Sequence, residues 1–303
     1  MKRKKKIKKL KSKKKKKNLH QLKKGHKFFG LTQIITLIII YLLHIYFEKV
    51  IIKSKNKISI IIPTYNRANL ITRSINSVLN QTYNNIEVLV IDDGSTDNTK
   101  NEINKIKDSR IRYIKLRKRR RANFARNIGI KKSFGEYITF QDSDDIYHKD
   151  KLEKQLNNLI INKSDLDFCK ILTHFYSGIK FTIPTKKQEK RILNNKIFNE
   201  LSYGNFISTQ SILVKKKYIQ KYLFDTQLPR LQDYDLVLRM VPKIKVSYTQ
   251  EILVDLYKQK DSISFSRNKI EKAKELLSKK TYDFDSEHQK IFINSLKHNI
   301  GRR

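Results

Sequence analysis

The sequence predicts an α/β fold, a mostly parallel sheet covered by helices on both faces. Three observations carry this. From Lys57 onward, short β-branched runs alternate with helical stretches, the order a parallel sheet requires. The runs are short and almost wholly apolar, as buried strands are. Acidic clusters follow the strands, where open sheets of this kind bind ligands. Taken in order, Ile58–Ile62 is a strand stopped by Pro63. Ala68–Asn80 is a helix with Leu70, Ile71, Ile75, Val78 and Leu79 on one face. Ile86–Ile91 is the second buried strand, and Asp92 to Asp97 form a turn able to cap the next helix. Ile111–Leu116 is the third strand, Asn123–Ser133 a helix closed by Gly135, and Tyr137–Gln141 the fourth strand. Lys151–Ile161 is helical again.

The chain has 303 residues, 39% apolar and 31% charged, enough apolar material for a sizeable core. Cys169 is the only cysteine, which excludes an internal disulfide framework and a Cys-rich zinc site. The formal net charge is +39, and residues 1–27 hold 16 Lys and Arg with no acid, a solvated tail by self-repulsion. Lys, Ile and Asn are abundant throughout, as in an AT-rich genome. Basicity is therefore poor evidence for nucleic acid, and no specific nucleic acid is expected as a partner.

Residues 28–52 contain one apolar run. Its centre, Leu31 to Phe47, would be about 25 Å long as a helix, at the short edge of what spans a bilayer. Tyr41 and Tyr46 lie toward its end, and Lys27 and Lys49 flank it. We read it as an N-terminal transmembrane helix that anchors a single-pass membrane protein with a cytosolic N-terminus. The basic tail would also attract anionic head groups, and the membrane would be the host cell's if the gene is viral. A helix of a soluble protein is the alternative. The expected organisation is a basic tail over 1–27, an anchor over 28–52, the α/β body over 53–260 and a helical extension over 261–303.

Three acidic clusters stand where that sheet would bind a ligand: Asp92-Asp93 after the second strand, Asp142 to Asp145 after the fourth, and Asp233 with Asp235 further on. Singly, each reads equally as turn and capping residues. Together at one sheet edge they repel unless a hard cation or hydrogen-bond donors occupy the site. Neither G-x-G-x-x-G nor G-x-x-x-x-G-K-[ST] occurs, so a diphosphate bound here would need a metal and arginine. Arg117, Arg119, Arg120 and Arg121 are the candidates.

Ile58-Ser-Ile-Ile-Ile-Pro-Thr-Tyr-Asn-Arg67, Ser77-Val-Leu-Asn-Gln-Thr-Tyr83 and Val90-Ile-Asp-Asp-Gly-Ser-Thr-Asp97 follow one another at ordinary spacing. Ala125-Arg-Asn-Ile-Gly129 and Gly135-Glu-Tyr-Ile-Thr-Phe-Gln-Asp-Ser-Asp-Asp145 continue the series, and Gln232-Asp-Tyr-Asp-Leu-Val-Leu-Arg239 comes late. Over residues 57–241 the chain resembles family 2 glycosyltransferases of the GT-A fold, a Rossmann-like nucleotide-diphospho-sugar transferase fold. The resemblance implies that Pro63, Tyr65 and Arg67 line the nucleoside pocket. Asp93 would accept a hydrogen bond from the nucleobase, uracil in the commonest members, and Arg121 would lie near the base or diphosphate. Asp142 and Asp144 would form the D-x-D pair, Asp144 binding Mn²⁺ or Mg²⁺ directly and Asp142 facing the ribose or the metal's water shell. Asp233 would be the general base. Gln141 departs from the usual apolar residue, a basic run replaces the usual Gly before Ala125, and Lys149 replaces a frequent Pro.

The implied reaction moves a sugar from a nucleoside diphosphate, a UDP-sugar in the commonest members, to a hydroxyl on a glycan, protein or lipid acceptor, with inversion. A divalent ion suits the charge that develops on the leaving diphosphate, and a carboxylate suits the acceptor's proton. Read from the residues alone, Asp233 is also a helix cap, and Asp235 is a weaker candidate base. A nucleotidyltransferase on a similar sheet is an alternative, although Pro63 to Arg67 is not its Gly-rich phosphate loop. A non-catalytic nucleic-acid or membrane binder on a decayed transferase body is another. His148 reads as a solvated loop residue, and His174 and Cys169 as structural. Lys215 to Lys217 and Lys272 to Lys280 read as solvated helix faces. Within the 193–213 segment, Tyr203, Asn205 and Phe206 are candidate acceptor contacts.

Overall fold

The computed structural model describes residues 36–42, 56–194, 196–258 and 267–298. Residues 36–42 are helical, and the apolar side chains of 37–42 are exposed. Among the described residues no helix is long and apolar enough to cross a membrane, so a transmembrane helix is not seen. The rest of the expected anchor and the whole basic tail lie outside the described residues.

From Asn56 onward the chain forms one compact unit around a nine-stranded sheet. The strands are β1 (Ile58–Thr64), β2 (Ile86–Asp92), β3 (Ile111–Lys115), β4 (Tyr137–Phe140), β5 (Ile146–Tyr147), β6 (Leu166–Phe175), β7 (Lys180–Ile183), β8 (Ile212–Lys215) and β9 (Val246–Lys258). Their order is β3-β2-β1-β4-β8-β6-β9-β5, with β7 beside β6. The first four strands are mutually parallel. β8 then runs antiparallel to both β4 and β6, and β5 and β7 are antiparallel to their neighbours. The sheet is therefore mixed, which corrects the expectation of a mostly parallel one. β8 is entered from the 209–211 turn and inserts between β4 and β6.

Strand β1 shows why an almost wholly apolar run is needed. Ile60 and Ile62 face one core, with Ile71, Ile75 and Val78 of α1 (Ile71–Leu79), Ile103 of α2 (Thr99–Lys105) and Leu152 and Leu156 of α4 (Lys151–Ile161). Ile61 faces the other, with Ala125 and Ile130 of α3 (Ala122–Lys132). Both faces are covered, so alternation disappears. α3 packs closely onto this strand: a Cβ on Gly129 would lie 2.4 Å from Ile61 Cγ2. Pro63 does not stop the strand. Ile61 O accepts from Gln141 N–H on the β4 side, so Pro63, two residues on, faces the same side where β4 has already ended. Its missing N–H costs nothing there.

The second core also receives α5 (Lys186–Asn194), α6 (Ile197–Leu201), α7 (Lys216–Tyr222) and α8 (Gln232–Met240). The last helices, α9 (Arg267–Ser278) and α10 (Ser286–His298), insert Ala273, Leu277, Phe292 and Leu296 into the same cluster. They share the body's core rather than forming one of their own.

Candidate active site

Strand order reverses at β1: the chain runs outward through β2 and β3, then returns to place β4 on the other side. The carboxyl ends of β2, β1 and β4 thus lie side by side at a topological switch point, where open α/β sheets bind ligands. Asp92 ends β2 and Asp93 follows it, Pro63 to Arg67 end and follow β1, and Asp142 to Asp145 follow β4. One edge gathers what the sequence holds in three separate segments.

On the β2 side, Asp93 is buried, and its two oxygens accept the backbone N–H groups of Arg120 and Arg121, each at 2.7 Å. Burial holds its carboxyl above the usual range, opposed by those two amides and by the Arg119 charge. The basic run therefore wraps Asp93 through its backbone and keeps its guanidiniums outside. Arg119 lies 3.9 Å over the Tyr65 ring and Arg120 4.6 Å over Phe124. Arg121 reaches its position with φ 71. Gly94 turns the chain after Asp93 with φ +85, which its lack of a Cβ permits.

On the β4 side, Asp142 is held at both oxygens: Arg126 Nη2 donates to Oδ1 at 2.7 Å and Gln210 Nε2 to Oδ2 at 2.6 Å. Its carbonyl accepts from Ser74 Oγ at 2.9 Å, and the Asp144 carbonyl accepts from Arg73 Nη2 at 2.7 Å. Asp145 is buried and held well above the usual carboxylate range, first by burial and then by Asp142 and Asp144. Arg126 is 4% exposed, and its Nε and Nη1 have no hydrogen-bond partner among the described residues. Gln141 is fully buried, with neither amide atom bonded among them.

Asp233 lies in the first turn of α8, whose N-cap is Leu231 at φ 58 without a side-chain cap bond. Asp233 is therefore not the N-cap, although its Oδ1 accepts the Tyr234 N–H at 2.8 Å. Burial raises its pKa, while Arg126 and Lys258 pull it down. Arg126 thus acts on the acids of two distant segments. Asp235 is committed to structure: buried, it accepts from Arg239 Nη2 at 2.7 Å, Lys280 Nζ at 2.7 Å and Tyr282 OH at 3.0 Å. Asp235→Ala would take the shared buried anion from Arg239, Lys280 and the Tyr282 hydroxyl, leaving Lys280 only Asp225 and Arg239 only the Tyr222 and Leu223 carbonyls. We expect a loss of about 3 kcal/mol in a urea melt, the low end for a broken buried ion pair.

Several outlying residues differ from expectation. His148 is not simply solvated: its Nε2 pairs with Asp255 Oδ2 at 3.0 Å, and His174 Nε2 pairs with Oδ1 of the same carboxylate at 2.6 Å. Phe206 is 3% exposed and packs against Phe168, so it is core rather than an acceptor contact. Asn205 caps its own loop through Ile207 N–H, while Tyr203 is exposed beneath Arg191. Lys280 is no solvated lysine, as its two bonds to Asp225 and Asp235 show. Cys169 is buried, its thiol pushed up to about 12 by burial, although the buried Lys151 lies near enough to oppose that shift. Sequence reasoning missed Gln210 entirely, for nothing around it signals a site. Arg126 stood inside the quoted Ala125 to Gly129 motif without a role.

This sheet, with acids gathered at its switch point, defines a glycosyltransferase of the GT-A fold. The chain belongs to glycosyl transferase family 2, whose profile matches residues 59–223. An uncharacterized glycosyltransferase of Haemophilus influenzae is 34% identical over 223 residues, spanning 71% of this chain and 84% of that protein. The Escherichia coli UDP-Glc:alpha-D-GlcNAc-diphosphoundecaprenol beta-1,3-glucosyltransferase WfaP is 34% identical over 224 residues, 70% of this chain and 81% of its own. The crystal structure of S. aureus TarS 1-349 in complex with UDP-GlcNAc shares the fold, with a TM-score of 0.64 at 22% identity over 79% of this chain and 71% of that one. Against longer glycosyltransferases of Rickettsia species the chain spans about a fifth of their length.

Proposed function

We propose that the protein transfers a hexose from a UDP-sugar to a hydroxyl of a lipid-diphosphate-linked glycan, with inversion and with help from Mn²⁺ or Mg²⁺. The observation that carries it is the meeting of Asp93, the Asp142–Asp144 pair and the Arg126 charge at the switch point, with Asp233 under the same charge. The donor follows from similarity to WfaP and TarS, and the acceptor from WfaP.

Pro63, Tyr65 and Arg67 at the end of β1 would seat the nucleoside, and Asp93 would read the base with the lone pairs its two backbone donors leave over. Arg121, exposed at the mouth, would meet the base or diphosphate. Hard carboxylate oxygens at Asp144, with Asp142 beside it, fit a hard divalent cation, and donor phosphates and water would complete its shell. When bound, such an ion neutralises charge on the departing diphosphate. Asp233 takes the acceptor's proton while the acceptor oxygen bonds to the anomeric carbon from the opposite side. The sugar–phosphate bond breaks, and its electron pair leaves with UDP. Burial makes Asp233 a stronger base than an exposed carboxylate. A panel of nucleotide sugars incubated with the protein and Mn²⁺ tests the reading. Release of free UDP from one UDP-hexose supports it, and release from none of the panel removes it.

The apolar run over 28–52 and its basic tail would hold the enzyme at the bilayer that carries such an acceptor. We expect full-length protein to stay with membranes through alkaline carbonate extraction. Release into the supernatant would leave, at most, a surface association.

A further inference from the structure

We propose that Gln210 is a positioning residue of the donor site: it keeps Asp142 and Asp145 out of a cation's coordination shell, so that Asp144 and the donor diphosphate hold the ion between them. The inference rests on the metal-assisted reading above. Its basis is the register of β4 and β8, in which Tyr137 faces Lys215, Ile138 faces Val214 and Thr139 faces Leu213. Continued beyond β8 into the turn over Thr209–Ser211, the same register sets Gln210 opposite Asp142. Gln210 is 6% exposed, and its amide nitrogen spends its two hydrogens on two different acids, Asp142 Oδ2 at 2.6 Å and Asp145 Oδ2 at 2.8 Å. The remaining oxygens are also taken: Asp142 Oδ1 by Arg126 Nη2 at 2.7 Å, and Asp145 Oδ1 by the Tyr257 N–H at 2.9 Å. Each oxygen thus has one lone pair committed to a donor, and a cation approaching either carboxylate meets the positive ends of those donors. One amide that donates to two neighbouring acids lowers the cost of keeping them together.

Replacing the amide by a carboxylate turns a donor into an acceptor and adds a negative charge without changing its size. Gln210→Glu puts a third carboxylate where two hydrogens had been, and three converging carboxylates attract a hard cation. Gln210→Met simply removes the donor and frees one oxygen of each acid. Mn²⁺ titrations followed by electron paramagnetic resonance, with and without UDP, and melting curves with and without Mn²⁺ test the inference. The wild-type protein should bind Mn²⁺ appreciably only with UDP present. Both variants should gain UDP-independent Mn²⁺ binding, Gln210→Glu by about tenfold or more, since ligand charge sets such affinities over decades. Mn²⁺ should raise their melting temperatures more than the wild type's. A glutamine that served packing alone would lower melting temperature and leave Mn²⁺ binding unchanged. Variants whose UDP-independent Mn²⁺ affinity stays within twofold of wild type overturn the inference, and if Gln210→Glu does not fold, Gln210→Met decides it. Wild-type UDP binding indifferent to Mn²⁺ would remove the metal reading itself, and this inference with it.

Discussion

Asp233→Asn should lower sugar transfer by about 10²–10⁴, the usual contribution of a positioned general base, while the affinity for UDP and Mn²⁺ should stay within a few-fold of wild type. The substitution keeps the size of the side chain and an oxygen for the Tyr234 N–H, so the first turn of α8 should survive and the melting temperature should barely move. Capping no longer competes as a full explanation, because Leu231 is the N-cap and no side chain closes that end. The pH profile supplies an independent check. A base must be deprotonated to work, and burial raises the Asp233 pKa above the ordinary carboxylate value. Transfer should therefore rise with pH along an acid limb centred above the usual aspartate range, and fall as pH drops through it. Near-normal transfer by a well-folded Asp233→Asn protein would take the base elsewhere, and Asp235, bonded to Arg239, Lys280 and Tyr282, is not placed to replace it.

Asp144→Ala should abolish turnover, by about 10³-fold or more if the ion contributes several kcal/mol to the leaving group. It should do so with the fold intact. The loop is also held through other atoms: the Asp142 carboxylate, the Asp145 carboxylate, and the Asp142 and Asp144 carbonyls that accept from Ser74 and Arg73. UDP should then bind no better with Mn²⁺ than without it. Asp142→Ala should behave differently, losing stability as well as rate, because Arg126 would be left as a buried guanidinium without its anion. Full activity of the wild-type protein in excess chelator would remove the metal from the scheme.

The strands and helices on each side of the switch point were legible in the sequence, because local physics writes them there. A strand buried on both faces is apolar at nearly every position, and Ile58–Ile62 and Ile86–Ile91 are, apart from Ser59 and Glu87, which bond to each other. The family's acids were legible too, as they stand in short contiguous motifs. Three things were not. The sheet's mixed character depends on β8 entering between β4 and β6, a long-range pairing that no local pattern announces. The end of β1 follows its pairing with β2, which continues to Thr64, three residues past the last β4 partner, so Pro63 reads locally as a terminator and structurally as strand. The roles of the acids depend on partners far along the chain: Arg126 and Gln210 for Asp142, Lys280 and Tyr282 for Asp235. The sequence alone determines which carboxylates this protein possesses and the strand ends at which they stand. Which of them face a ligand and which are consumed by the protein's own donors is decided by the tertiary structure, because a hydrogen bond depends on distance in space, and sequence separation does not encode that distance.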